Sequence, residues 1–170
     1  MVGVDRKYLS IRPEEAFSVS FKIDFDDSPM AQQQLSLRLA NGTFKTEIAR
    51  ARTFGFAHEV DALRKAGLAR GGSLDNAVVI NGNTVMNGDG LRYRDEFVRH
   101  KILDCVGDLY LAGAPIIGAV DALRSGHALN SNLLHTLFDN PDAWSYVEMT
   151  EALVPGTSHM EETRSERVFA

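Results

Sequence analysis

In the stretch RHKILDCVGD, residues 99–108, His100 and Asp104 stand four apart and Asp108 four further on. On an α-helix those intervals bring side chains onto one face, where an imidazole and a carboxylate can share a cation or a proton. With His100 at zero and about 100° per residue, Asp104 falls at about 40°, Phe97 at about 60°, Asp108 at about 80° and Lys101 at about 100°. Cys105, Val98, Leu109, Ile102 and Val106 fall on the opposite side, which should face a core. Cys105 then reads as a small core residue, with no need for thiol chemistry. Spacing alone leaves two readings open, a small-cation site or a solvated helix face, and the second is the commoner outcome for His-x-x-x-Asp. A catalytic zinc site takes three protein ligands and keeps one position for water. This helix offers two.

Four other histidines could complete such a site: His58, His127, His135 and His159. His58 and His135 fall on expected helices and read as surface or boundary residues. His159 falls in the C-terminal tail. His127, in RSGHALN, follows a glycine at a strand-to-helix junction, where functional side chains often sit. It suits a metal ligand or a proton donor equally. A serine hydrolase built on Ser125 and His127 is disfavoured, because the two are too close in sequence and no Gly-x-Ser-x-Gly elbow is present. The RGGS loop at 70–73 lacks the Gly-Lys-Ser/Thr ending of a phosphate-binding loop and reads as a turn.

The elements that must position these groups are legible in part. FSVSFKIDFD, residues 17–26, alternates without a fault, with Phe17, Val19, Phe21, Ile23 and Phe25 on one side, which predicts a half-buried strand. A second extended segment is expected at 34–39, and a short helix over NGTFKTEIARA, started by Asn41 to Thr43. Residues 53–80 predict a strand–helix–strand unit whose helix carries Val60 and Leu63 and stops near Gly67. Asn81-Gly82 predicts a tight hairpin turn into 84–86, and NGDG (87–90) another turn. Asp95 is placed to cap a helix running to about Leu111, APIIGAVDALRSG reads as a strand, and HALNSNLLHTLF as a final helix with Leu129, Leu133 and Leu137 in register. Strands and helices that mix without strict alternation predict a two-layer α+β sandwich, a small mixed sheet packed on helices with the strand–helix–strand insert. Residues 1–154 are expected to form that domain, and residues 155–170 a disordered tail.

Composition sets outer limits. The 170 residues are 44% hydrophobic and 24% charged, the balance of a globular domain. A net charge of −5 gives no reason to expect a nucleic-acid partner. The single cysteine excludes an internal disulfide and fits a reducing compartment. No apolar run approaches the ~20 residues of a transmembrane helix, and the N-terminus lacks a secretory apolar core. The expectation is a cytoplasmic protein.

Three strings, ARTFGF (51–56), DEFVRHKILDCVGDLYLAGAPIIG (95–118) and SGHALN (125–130), with GGSLDNAVV and NGDGLRYRDEF between them, strongly resemble the UDP-3-O-acyl-N-acetylglucosamine deacetylase family, the zinc hydrolases of the committed step of lipid A synthesis. The resemblance covers about residues 14 to 140 and corresponds to the second of the family's two tandem α+β domains, between which the active site lies. It implies Zn²⁺ as cofactor, with His100 and Asp104 as two of its three ligands. It implies that Lys101 contacts the substrate, that Phe54 lies against the sugar, and that Thr53 supports the developing oxyanion. His127 is implied as a protonated histidine that stabilises the oxyanion or protonates the leaving amine, and Asp108 as the group orienting it. The 53–80 insert would hold the acyl chain. The third ligand, a histidine, and an adjacent glutamate base belong to the family's first domain, so the resemblance implies a chain inactive alone. The alternative is a non-catalytic module that keeps acyl-chain or UDP-sugar binding; the intact His100, Asp104, Asp108 and His127 set favours the enzyme.

Overall fold

Alternation in β3 (Ser18–Asp24) turns Val19, Phe21 and Ile23 inward, and all three are fully buried, with Phe17 and Phe25 packed beside them. This computed structural model describes residues 1–25, 32–67, 70–148 and 167–169. Asp26, the side chain of Leu63 and most of the 155–170 tail, His159 included, lie outside the described residues.

β3 sits inside a five-stranded sheet with β1 (Val2–Val4), β2 (Lys7–Arg12), β4 (Gln32–Arg38) and β8 (Ala119–Leu123), in the order β1-β2-β8-β3-β4. Only β3 and β8 run parallel; the other neighbours are antiparallel. Two helices, α2 (Glu96–Leu109) and α3 (His127–Phe138), cover one face, α2 over β3 and β4 and α3 over β1 and β2. Between the layers Phe21, Leu9, Phe97, Ile102, Leu109 and Leu133 make the core. This is the two-layer α+β arrangement with a mixed sheet that the sequence led us to expect. The insert is a second small sheet, β5 (Thr53–Phe56), β6 (Ala77–Asn81) and β7 (Thr84–Val85), with α1 (Ala57–Lys65) joining the parallel pair β5 and β6. β9 (Tyr146–Glu148) pairs antiparallel with β10 (Arg167–Phe169). Among the described residues no helix is long and apolar enough to cross a membrane.

Several local expectations need correcting. The β1–β2 hairpin was not anticipated, because its turn is Asp5-Arg6, both with positive φ (47° and 59°), where glycine or asparagine is the usual signal. The helix expected after Asn41 is a single π-type turn, Phe44–Ile48, that buries Ile48. The hairpin turn falls on Gly82-Asn83, since Asn81 still pairs with Thr84. Only Ala119–Leu123 of the segment 114–126 is strand. Asp95 stands at the N-cap of α2 without capping it: its carboxylate bonds Arg99 Nε at 2.6 Å, and the free N–H of Val98 donates instead to Gln33 Oε1 on β4 at 3.0 Å.

Past Leu109 the helix tightens into a 3₁₀ turn, Tyr110–Ala112, and ends on Gly113 at φ 82°, ψ 0°. That left-handed conformation strains any side chain. Gly113→Ala is expected to cost about 1 kcal/mol, read as a drop in thermal midpoint of about 2–4 °C. An unchanged midpoint would remove the strain argument.

Candidate functional site

Because β3 and β8 are parallel, both deliver their chain ends to the same edge of the sheet. There β8 turns out through Arg124, held at φ 50°, whose N–H donates to the Lys22 carbonyl at 2.8 Å and whose guanidinium pairs with Asp24 at 2.9 Å. Three residues later His127 opens α3. The neighbouring α2 brings His100, Lys101 and, one turn further on, Asp104 to the same cleft as His127.

β5 is brought up to α2 by a buried ion pair. Arg52, immediately before β5, donates to Glu96 from Nε (3.0 Å), Nη2 (3.3 Å) and its backbone N–H (3.0 Å). The same guanidinium bonds Asp89 and the Gly90 carbonyl, and the Arg92 N–H donates to Glu96 at 2.6 Å. Glu96 is fully buried and Arg52 nearly so. Burial pushes the Glu96 carboxyl upward, but the Arg52 side chain and the two backbone N–H donors outweigh it and hold it below its ordinary value. On the other side of the 87–90 turn, buried Asn87 donates to the Leu74 and Ala77 carbonyls and accepts from the Val79 N–H, fastening β6. Phe54 then stacks obliquely on Phe97 with ring centroids 4.9 Å apart and meets His100 edge-on at 6.3 Å.

The result is a cleft of about 350 Å³ lined by Thr53, Phe54, His100, Lys101, Asp104 and His127, with Glu59 and Phe25 at its wall. All six singled out from the sequence thus meet in one place, and Asp108 lies directly behind His127. The solvated-face reading of α2 fails on exposure. His100, Lys101 and Asp104 are only 15%, 14% and 13% exposed, and Phe54 of β5 lies edge-on to His100. Asp104 accepts from Lys101 Nζ at 3.1 Å through Oδ2, while Oδ1 lies 3.3 Å from His100 Nε2. The other ring nitrogen, Nδ1, faces the Ala51 carbonyl at 3.4 Å. Burial lowers the His100 pKa; the Asp104 charge and the Ala51 contact oppose this without reversing it. His100 is therefore biased to the neutral imidazole, the form that can ligate a metal. Among the described residues no group of three or more His, Cys, Asp or Glu side chains is placed to hold a metal ion.

His127 differs in kind. It is 70% exposed, and its Nδ1 donates to Asp108 Oδ2 at 2.7 Å, which leaves Nε2 directed to other partners. Asp108 also accepts from Asn130 Nδ2, and Ser125 Oγ donates to Asn130 Oδ1. Neither Asn130 nor the Arg52–Glu96 pair was singled out from the sequence. The available signal was His-x-x-Asn across the first turn of α3, which places both side chains on one face. Glu96 was hidden because an acidic residue in a first helical turn has an ordinary role against the helix dipole. Cys105 is buried, its thiol pushed up to about 12 by burial, and His58 and His135 are exposed, as expected. A second, apolar cavity of about 500 Å³ under the insert, walled by Val60, Leu74 and Val78, shares Thr53, Phe54 and Gly55 with the cleft.

Architecture and cleft together define an α+β domain that presents histidines and carboxylates, with an adjoining apolar groove, at the end of a parallel strand pair. The chain belongs to the UDP-3-O-acyl N-acetylglycosamine deacetylase family, which matches residues 1–139. It is 48% identical over 151 residues to the UDP-3-O-acyl-N-acetylglucosamine deacetylase of Acidithiobacillus ferrooxidans, covering 88% of this chain and 50% of that protein. It is also 48% identical over 147 residues to the protein of the same name from Phenylobacterium zucineum, covering 86% and 50%. The chain therefore spans about half the length of the curated relatives it matches.

Proposed function

We propose that this chain forms one side of the active site of a zinc-dependent N-deacetylase acting on UDP-3-O-acyl-N-acetylglucosamine in the committed step of lipid A synthesis. The observation that carries the reading is the His100–Asp104 geometry. With Nδ1–H turned to the Ala51 carbonyl, the Nε2 lone pair of a neutral His100 faces Asp104 Oδ1 at 3.3 Å. Two electron-pair donors so placed want a cation. Ligand atoms of a tetrahedral zinc, each at about 2.0–2.1 Å, stand about 3.3 Å apart. The donor set fits two ligand positions, and the Ala51 carbonyl is the usual kind of partner for the second nitrogen of a ligating histidine.

When bound, zinc supplies Lewis acidity, activating a water near neutral pH and polarising the amide carbonyl. The chain's own groups do the rest. Attack on the N-acetyl carbonyl places negative charge on its oxygen, and the Thr53 hydroxyl and a cationic His127 stabilise it. Breaking the C–N bond releases acetate only if the amine nitrogen is protonated, and His127 Nε2 is the donor on this face, its other nitrogen being held by Asp108. Phe54 lies against the sugar and Lys101 attracts the anionic part of the substrate. The apolar groove under the insert takes the acyl chain, which then ends beside Thr53. The third ligand and the glutamate base are supplied by the part of the family's length that lies beyond this sequence. A nucleotide-sugar substrate and one buried cysteine suit the cytoplasm.

On this reading the chain alone binds zinc weakly and does not turn over the UDP-sugar. Mixed with a separately expressed first domain of the family, it gains N-deacetylase activity, and His100→Ala removes that activity. Turnover or tight stoichiometric zinc in the chain alone would overturn the reading. Association of the two folded halves without activity would favour the binding module.

A further inference from the structure

We propose that Asn130 and Ser125 form a positioning relay that fixes the Asp108–His127 pair from the buried side, resting on the reading that His127 serves the reaction. His127 is 70% exposed, so packing does not set its ring; its orientation depends on the hydrogen bond to Asp108 Oδ2. Asp108 is itself partly exposed and could swing about its own side-chain bonds. Asn130, only 1% exposed, stops it: Nδ2 donates to the same Oδ2 at 2.8 Å.

The direction of the amide follows from chemistry. A carboxylate oxygen at 2.8 Å needs a donor, so the NH₂ faces Asp108 and Oδ1 faces the other way. There the Ser125 hydroxyl donates to it at 2.9 Å. Ser125 is buried as well. Ser125 has forgone the role its type usually takes near a helix start. The N-cap position of α3 is Gly126, with no side-chain cap, while Ser125 just before it turns inward. A buried amide costs stability unless its hydrogen bonds are made. Here both ends are satisfied, one by the carboxylate that holds His127. The relay therefore runs from the rigid interior outward, Ser125 to Asn130 to Asp108 to His127, and it selects the Nδ1–H form of the imidazole. Nε2 is then the atom that takes up a proton and presents it to the substrate.

The test reads the ring directly, in the metal-free chain, by long-range ¹⁵N–¹H correlation of the histidine nitrogens at mildly alkaline pH. In the native chain His127 is expected as the Nδ1–H tautomer. In Asn130→Ala it shifts toward Nε2–H, the form a free imidazole prefers, while exposed His58 and His135 stay unchanged as internal controls. Asn130→Asp keeps the shape but turns a donor into a repelling carboxylate, and should displace the tautomer at least as far. Ser125→Ala gives a smaller shift. In the complemented enzyme Asn130→Ala lowers kcat by about 10- to 100-fold, the range for outer-shell partners, with KM little changed. Native tautomer in folded Asn130→Ala and Asn130→Asp overturns the relay. A displaced tautomer with undiminished kcat leaves the relay standing and removes His127 from the reaction. Should Asn130→Ala fail to fold, Asn130→Asp and Ser125→Ala decide between the same outcomes.

Discussion

His127→Ala is expected to lower kcat of the complemented deacetylase by about 10²- to 10⁴-fold, the usual weight of a positioned general acid. The size follows from what the side chain does. On the proposed reading, loss of the imidazole removes both a hydrogen-bond donor beside the oxyanion and the proton the leaving nitrogen requires. The change is clean because the ring is largely in solvent; the thermal midpoint should hold within a degree or two. Asp108→Asn separates orientation from chemistry. It keeps the shape but presents an amide, which can donate to Nδ1 and so favours the opposite tautomer. Steady-state kinetics of the complemented enzyme, with a melt of each chain, measure both. A loss below tenfold in His127→Ala would place the proton donor elsewhere.

Arg52→Ala carries the largest expected effect on folding. It strips Glu96 of its ionic partner while the carboxylate stays buried, the situation that costs about 3–5 kcal/mol. The backbone N–H groups of Arg52 and Arg92 still donate to Glu96, which places the loss near the lower end. The pH dependence has a definite sign. In the native chain the Glu96 pKa is lowered on folding, so its contribution is complete above the ordinary carboxylate range and is lost as pH falls through the lowered value. Without Arg52, burial dominates and the folded-state pKa rises, so the variant is relatively less penalised in acid. Urea unfolding at neutral and at acidic pH should show the gap between the two chains narrowing as pH falls. A gap that is constant or widens would mean the pair is not the buried, charged contact described. Since the same pair holds Thr53 against α2, catalysis in the complemented enzyme should fail along with stability.

How much of this was legible in the sequence depended on the range of the interactions. β3, α2 and the β5–α1–β6 insert were readable, because alternation and helical spacing are local and each leaves its period in the chain. The β1–β2 hairpin was not, since Asp5-Arg6 carries none of the residues that signal two left-handed turn positions. The cap of α2 was misassigned because Gln33, from another strand, took the place that Asp95 could have filled. The candidate residues line one cleft, but what holds them together came from pairs far apart in sequence. Arg52 and Glu96 are separated by 44 positions and Asn130 and Asp108 by 22, distances over which no periodicity speaks. Phe97 shows the same limit: on the helix wheel it falls beside the polar residues, yet it is a fully buried core ring with Phe54 of β5 stacked obliquely on it.

The thiol of Cys105, sealed in the core and held far above neutral titration, makes the chain a blank for maleimide chemistry. A single cysteine placed at exposed His135 would then carry a fluorophore at one known position, with the native thiol silent. Energy transfer from such a probe would report docking of a complementary half in real time, separately from whether the assembled protein turns over.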